Sequence, residues 1–219
     1  MKTLKLSLIL TISLFAISVW NLQADEYDRI YHKTFSAQGA EDVDILNKFG
    51  EVVIKNWEKN EVSIKVVVTV DARNEEKAKD YFDRIHIALN KRGGTIFGET
   101  DIDHASGMND YSIDYEVYMP KALNLRLGNK YGDVFINKLD GHLELDVRYG
   151  SIRINELTRE DAEPRNQIHL SYSKNCEIKK AGWLKMELDY SDLTVERSTA
   201  LIVLSKYSHL YTDITNSLV

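Results

Sequence analysis

The chain has 219 residues, in which 34 aspartates and glutamates outnumber 28 lysines and arginines and leave a formal net charge of −6. An acidic chain has no general attraction for nucleic acid or for anionic lipid, so neither is expected as a partner. Cys176 is the one cysteine, which excludes an intrachain disulfide and a cysteine-based metal site. We therefore expect packing and strand pairing to stabilise the fold, and we predict neither a cofactor nor a bound metal.

Residues 1–24 have the pattern of a secretory signal peptide. Lys2 and Lys5 precede an uncharged, mostly apolar run from Leu6 to Trp20, and Ala24 then precedes two acidic residues. The run is shorter than the roughly 20 apolar residues of a spanning helix. We predict cleavage after Ala24 and export to the periplasm, the outer surface or the medium, with no integral membrane span left after cleavage. Retention of the segment as an N-terminal anchor is the alternative.

Residues 25–120 are predicted to form a β-rich region that contains one short helix and one hairpin. Apolar residues alternate over residues 27–37, 41–57 and 61–72, which indicates half-buried strands. Residues 74–84 are predicted to be helical with Asn74 as the N-cap. A hairpin is predicted to turn at Arg92, Gly93 and Gly94.

A polar segment over residues 98–112 is predicted to be a mobile loop. Its Asp101, Asp103, His104 and Asp110 could hold Ca²⁺ through oxygen. The ligand order of a calcium loop is absent, however, so a solvated acidic loop is the favoured interpretation. The six histidines of the chain show no HxxxH or HxH pair.

Residues 121–219 are predicted to be a β-solenoid, because one short phrase recurs along them. The phrase "NKYGDVFIN" at residues 129–137 has a near-twin, "NKFGEVVIKN", at residues 47–56. Further copies follow at spacings of 18, 23, 18 and 17 residues. We define the corner aromatics as the central ring residues of these copies: Phe49, Tyr131, Tyr149, Tyr172, Tyr190 and Tyr207.

Each copy has the pattern of two strands joined by a corner, and we call this unit a coil. Leu143, Leu145 and Val147 alternate in phase with Tyr149, and the apolar phase then shifts across Gly150. The phase shift predicts a bend that keeps one face inward. Small residues follow the aromatics, and for glycine we expect a positive φ at the bend. The predicted glycine corners are Gly50, Gly132 and Gly150. We expect the corner aromatics to stack between adjacent coils.

The strand phrases before Pro120 and the tyrosine-glycine coils together resemble the bacterial putative-adhesin family. These are exported domain-of-unknown-function proteins related to the head domain of putative autotransporter adhesins. The resemblance covers residues 27–219 and implies a β-solenoid-like fold, an envelope or surface location, and no established active site. The final coil stops at "TDITNSLV" without a polar cap. We therefore expect a short member of the family or a truncated one.

The outward positions of the coils are the predicted interaction surface. Asp146, His169 and Glu187 are expected to be stacked neighbours that carry charge of both signs. Ile202 and Leu204 are apolar at outward positions of the last coil, which predicts cover by a second copy of the chain, by a partner protein or by further C-terminal coils. Cys176 is expected to be a buried, inert thiol.

The function that these patterns favour is a non-enzymatic envelope or cell-surface protein of adhesin type, which binds protein or glycan on a repetitive β surface. No nucleophile elbow, phosphate-binding loop or dinucleotide fingerprint is present. A carbohydrate-active solenoid enzyme, either a lyase or a hydrolase, is one alternative, with Asp146, His169 and Glu187 doing acid–base work. An envelope scaffold or sensing component is the other.

Overall fold

The computed structural model describes residues 25–103, 111–160 and 163–218. The described chain is all-β with one short helix, as the sequence predicted. The strands, in chain order, are β1 Asp25–Ser36, β2 Asp42–Lys48, β3 Val52–Asn56, β4 Glu61–Ala72, β5 Ile85–Arg92, β6 Thr95–Ile102, β7 Tyr111–Met119, β8 Asn124–Lys130, β9 Val134–Leu139, β10 Leu143–Arg148, β11 Ile152–Leu157, β12 Asn166–Ser171, β13 Cys176–Asp189, β14 Asp192–Lys206 and β15 His209–Leu218. The helix α1 spans Glu75–Phe82. The predicted signal peptide, and His104 and Asp110 of the acidic segment, lie outside the described residues.

The coils stack through two rows of parallel strands. Row A contains β2, β8, β10, β12 and the C-terminal parts of β13 and β14, in that order. Row B contains β3, β9, β11, the N-terminal parts of β13 and β14, and β15. The assignment of this architecture to the β-solenoid class remains a prediction from the sequence.

The register within each row follows the repeat that is visible in the sequence. In row A, Leu127 pairs with Leu145, and Leu145 pairs with Ile168. In row B, Ile154 pairs with Ile178, so the Tyr172 coil has one more residue between its corner aromatic and this position than the Tyr149 coil has. Because equivalent residues lie beside each other, the apolar side chains of successive coils form continuous inward columns.

The two longest strands belong to both rows. β13 pairs with β11 over its first part and with β12 over its second part. β14 likewise pairs along the whole of β13. In β13 and β14 the chain therefore passes from row B to row A as continuous strand, without a turn between the two rows. Gly182 lies at this crossing, where a Cβ atom would collide with the backbone of Arg159.

The N-terminal end of the stack is covered by antiparallel strands. β7 lies beside β3 and pairs with β4, which pairs in turn with β1. The hairpin of β5 and β6 covers the row A end, because β6 pairs with β2. It turns at Gly93, which has a φ of 57°. Strand pairing runs continuously across residue 120, and the predicted division of the chain at that residue stays a prediction.

Helix α1 begins where the sequence indicated. The side chain of Asn74 accepts a hydrogen bond from the backbone N–H of Lys77 and caps the first turn. Ala78, Tyr81 and Phe82 are buried, and the helix contacts β4, β1 and β5. Arg29 of β1 lies over the ring of Phe82, 4.5 Å from its centroid. The helix is thus held by packing on its apolar face.

The corners differ from the prediction in one physical detail. Positive φ occurs at the aromatic residue, for example 62° at Tyr131 and 58° at Tyr149, and not at Gly132 or Gly150. The expectation of left-handed glycines was wrong. Glycine is required there for space, because a Cβ on Gly132 would collide with the carbonyl oxygen of Gly50, and a Cβ on Gly150 with that of Gly132.

The same turn carries the aromatic ring out of the core. The sequence phase grouped Tyr149 with the inward residues of its strand, but its side chain is 47% exposed. The left-handed backbone of the corner reverses the direction of the side chain. The rings of successive coils instead stack on one another at the corner, with centroids 5.0 to 5.1 Å apart from Phe49 to Tyr207.

Candidate functional site

The solvent-facing side of row A, which we call the outer face, holds the predicted interaction residues. Strand pairing arranges its side chains in columns that run along the stack. The first column is Asp44, Arg126, Glu144, Gln167, Lys185 and Ile202. The second column is Leu46, Gly128, Asp146, His169, Glu187 and Leu204. Asp146, His169 and Glu187 are therefore consecutive members of one column.

A notch interrupts the second column at Gly128. The glycine has no side chain, and a cavity of about 320 Å³ opens beside it, lined by Leu46, Arg126, Glu144, Asp146 and His169 among others. Leu46 is 47% exposed and forms an apolar wall of the notch. A Cβ on Gly128 would lie 3.0 Å from the Cδ2 atom of Leu46, so a larger side chain would fill the space.

Ion pairs border the notch on the side of the first column. The Nε atom of Arg126 donates to Glu144 at 2.9 Å, and its Nη1 atom donates to Asp44 at 3.3 Å. These carboxylates, Glu144 first, raise the pKa of the Arg126 guanidinium above its ordinary value. The positions of these side chains are thus fixed by one another before any ligand arrives.

His169 lies between two carboxylates in the middle of the outer face. Its Nδ1 atom is 3.5 Å from Asp146, and its Nε2 atom is 3.4 Å from Asp189. Arg148 donates two hydrogen bonds of 3.1 Å to the other side of Asp146, which raises the pKa of the guanidinium. Lys185 pairs with Glu187 at 3.0 Å. The network offers both donors and acceptors to a ligand that lies along the column.

The solvent exposure of the column bears on the chemistry that this arrangement can perform. The side chains of Asp146, His169 and Glu187 are between 32% and 49% exposed. Catalytic acid–base pairs work best in enclosed sites, where water is excluded and electrostatic interactions are strong. A half-solvated column of paired charges with one apolar notch is suited to contacts with an extended polar ligand.

The last coil places Ile202 and Leu204 at the end of both columns. Leu204 is 56% exposed and Ile202 is half-buried. Within the described residues, no strand follows the C-terminal part of β14 in row A. Val203 pairs with the buried Met186 but is itself only partly buried for the same reason.

Sequence reasoning missed the notch and its apolar wall. The segment "LRLGNK" at residues 125–130 shows a glycine at an outward position of a strand that alternates regularly. A glycine inside a strand marks close approach or missing volume. That signal could have indicated Gly128, whereas the proximity of Leu46 could not be read without the 82-residue register between β2 and β8.

The remaining candidate sites are Cys176 and the part of the acidic segment that lies within the described residues. Burial raises the pKa of the Cys176 thiol to about 11, so the neutral form dominates at neutral pH. Among the described residues, no three histidine, cysteine, aspartate or glutamate side chains are grouped so that they could hold a metal ion. Asp103 of the acidic segment contacts His86, with Oδ2 and Nε2 2.9 Å apart.

No helix within residues 25–103, 111–160 and 163–218 has the length and apolar character needed to cross a membrane. No protein-family model matches the chain. No curated protein matches it either.

Several solved structures are similar to the chain. A putative cell adhesion protein from Clostridium sporogenes is 8% identical, with a TM-score of 0.45 over 88% of this chain and 98% of that chain. A putative adhesin from Bacteroides fragilis is 10% identical, with a TM-score of 0.38 over 87% and 97% of the two chains. A putative lipid binding protein from Parabacteroides distasonis is 10% identical, with a TM-score of 0.27 over 87% and 96%.

Proposed function

We propose that the protein is an exported, non-enzymatic surface protein of adhesin type, in which a β-solenoid presents the outer face of row A to an extended glycan or protein. Export follows from the predicted signal peptide at residues 1–24, and the envelope location follows from the sequence resemblance. The observation that carries the binding proposal is the notch at Gly128, set in a column of hydrogen-bonding side chains.

The notch and the column have complementary roles in this proposal. Leu46 gives the notch an apolar wall that excludes water from one group of the ligand. Asp146, His169 and Glu187 follow at successive coils and offer hydrogen bonds at regular intervals along the same line. A repeating ligand can contact successive coils through the same chemistry, which is how stacked repeats bind extended partners.

A carbohydrate-active enzyme is the second candidate, because His169 lies between the carboxylates of Asp146 and Asp189. This candidate requires turnover of a polysaccharide that is lost when His169 is replaced. We favour binding because Asp146, His169 and Glu187 are partly solvated and each already has a side chain that can carry charge within 4.0 Å.

Binding is tested with residues 25–219 on a panel of immobilised bacterial and host glycans. The test variant is Gly128→Leu, whose side chain would occupy the notch while pointing toward solvent. The neighbour nearest to the new Cβ is the end of the flexible Leu46 side chain, so the fold should be retained. The matched control is Ile30→Lys, an exposed change on β1 outside the outer face.

The proposal predicts that the parent binds at least one glycan, that Gly128→Leu weakens this binding about tenfold or more, and that Ile30→Lys leaves it unchanged. Product release from the bound glycan, abolished in His169→Ala, would replace the proposal with the enzyme candidate. If no glycan binds, the same variants are compared for capture of one protein from envelope extract. Equal capture by parent and Gly128→Leu would contradict a role of the notch.

A further inference from the structure

The stack of corner aromatics begins with one phenylalanine and continues with tyrosines. The ring of Phe49 stacks on that of Tyr131 with centroids 5.0 Å apart, and both residues have a φ of 62°. Phenylalanine therefore fits both the corner and the stack, and neither requires a hydroxyl group. We call the phenol-bearing part of the stack the tyrosine ladder; its members are Tyr131, Tyr149, Tyr172, Tyr190 and Tyr207.

The tyrosine ladder holds its phenols side by side and open to solvent. Centroids of neighbouring rings are 5.0 to 5.1 Å apart, and each ladder residue is between 41% and 74% exposed. Within the described residues, the ladder hydroxyls make no hydrogen bond to the protein. A groove of about 700 Å³ opens beside the ladder, lined by Tyr149, Tyr172, Tyr190, Asp133 and Asp192 among others. Water and a dissolved oxidant can therefore reach the ring edges.

We propose that the tyrosine ladder is a modification site, at which a one-electron oxidant joins tyrosines of adjacent coils through carbon–carbon bonds. Each of two phenols gives one electron to the oxidant and its hydroxyl proton to water, which leaves two phenoxyl radicals. The radicals join through the carbons ortho to oxygen, and the hydrogen on each of these carbons then moves to oxygen and restores the phenols. A peroxidase haem supplied with hydrogen peroxide is an oxidant of the required class.

The stack determines which tyrosines couple. Two reacting groups that are held side by side react far more readily than groups that must meet by diffusion. Rotation about the side-chain torsions of these exposed residues brings the ortho carbons of neighbouring rings together. Coupling therefore joins consecutive coils of one chain, at tyrosines 17 to 23 residues apart in sequence. Each bond restricts the unfolded chain in the way that a disulfide does.

The predicted export of the chain gives this chemistry its setting. A protein outside the reducing cytosol meets oxidants and has no pool of thiols to repair oxidised groups. With one cysteine, the chain has no intrachain disulfide to tie its coils together, and coupled tyrosines would supply such a tie. The ladder lies at the corners and not on the outer face, so this inference does not depend on the proposed ligand binding.

The test is illumination of residues 25–219, at low protein concentration, with a ruthenium(II) polypyridyl complex and persulfate as the one-electron oxidant. Trypsin then separates the ladder residues, because a lysine or arginine lies between each ladder tyrosine and the next. Each crosslink appears in mass spectrometry as a pair of peptides whose mass is two hydrogen atoms below their sum. Adjacent ladder tyrosines should couple about tenfold or more above non-adjacent ones. The oxidised chain should remain a monomer on a denaturing gel.

Tyr172→Phe removes one phenol from the middle of the ladder while keeping the ring. The crosslinks of residue 172 with Tyr149 and Tyr190 should be lost, whereas the crosslink between Tyr131 and Tyr149 should remain. Survival of the fold is expected, because Phe49 already occupies a corner of the same conformation.

Tyr211→Phe is the matched control. Tyr211 is 60% exposed, and its ring lies beside His209 with centroids 6.5 Å apart. An exposed phenol outside the ladder should contribute little to coupling, so this variant should give the same ladder crosslinks as the parent.

Oxidation in concentrated urea separates the effect of the stack from that of sequence spacing. The preference for adjacent ladder tyrosines should disappear there, because the unfolded chain no longer holds the rings together. The proposal would be overturned by the absence of coupled tyrosines in the folded protein, by crosslinks that are mainly between chains, or by equal coupling of adjacent and non-adjacent tyrosines. A preference that persists in urea would overturn it as well.

Discussion

The ring of Tyr172 lies parallel to the ring of Tyr190, with centroids 5.1 Å apart and an interplanar angle of 1°. Both residues hold left-handed backbone conformations, with φ of 54° and 50°. A non-glycine residue in this conformation costs on the order of 1–3 kcal/mol. The stacked rings offset part of this cost, and the repeated tyrosine is therefore explained by the corner and by its neighbours in the stack.

Replacement of the two rings by asparagine measures their interaction directly. Asparagine tolerates the left-handed conformation, so Tyr172→Asn and Tyr190→Asn remove the rings with little change in backbone strain. We expect a coupling free energy of about 0.5–1.5 kcal/mol in a double-mutant cycle of urea unfolding. The control cycle uses Tyr131 and Tyr190, whose rings are not adjacent, and should give no coupling. An equal coupling free energy in both cycles would show that the effect of the rings on stability does not come from contact between neighbouring rings.

Side chains larger than glycine should destabilise the corners through collision. Gly132→Val and Gly150→Val place a Cβ against the backbone carbonyl of the previous coil, which cannot move without shifting a strand. We expect each change to lower the free energy of unfolding by about 2 kcal/mol or more.

Gly39→Ala is the control for these corner variants. Gly39 has a φ of 67° and no atom within 4 Å of an added Cβ, so its substitution tests backbone strain without collision. We expect it to cost about 1 kcal/mol in chemical denaturation. A larger loss at Gly39 than at Gly132 would contradict the steric explanation of the corners.

Buried acids of high pKa make the fold sensitive to alkali. Burial raises the pKa of Cys176 from 9.0 to about 11 and that of Tyr115 from 10.0 to about 12. Each group is neutral in the folded chain over a pH range in which the unfolded chain has lost the proton. The stabilisation that this group adds to the folded chain is fully present below the pKa that the group has in the unfolded chain. It is lost as the pH rises to the pKa that the group has in the folded chain.

For Cys176 the loss falls between pH 9 and 11 and amounts to about 2 kcal/mol. Cys176→Ala removes this group, so the difference in unfolding free energy between parent and variant should narrow over that range. Urea denaturation at pH 7, 9 and 11 measures it. A difference that stays constant with pH would show that the thiol titrates alike in both states.

The repeat was readable because its physical cause is local. The alternation around Tyr149 and the small residue that follows encode a strand, a corner and a strand without reference to distant residues. The register between Leu127 and Leu145 follows once copies are aligned.

What the sequence could not supply depends on neighbours in space. The left-handed conformation was assigned to Gly132 because glycine favours positive φ, yet the closeness of the Gly50 carbonyl is a property of the stacked coils. The exposure of the tyrosine rings follows from the same backbone reversal. The notch at Gly128 needed Leu46 from a strand 82 residues earlier.

The measurement that tests the account most directly is titration of the best-binding glycan from the panel into parent, Gly128→Leu and Ile30→Lys protein. If the notch and the outer column form the ligand site, the dissociation constant rises about tenfold or more for Gly128→Leu and is unchanged for Ile30→Lys. Equal affinity of all three proteins, with Gly128→Leu folded and as stable as the parent, would contradict the assignment of function to the outer face.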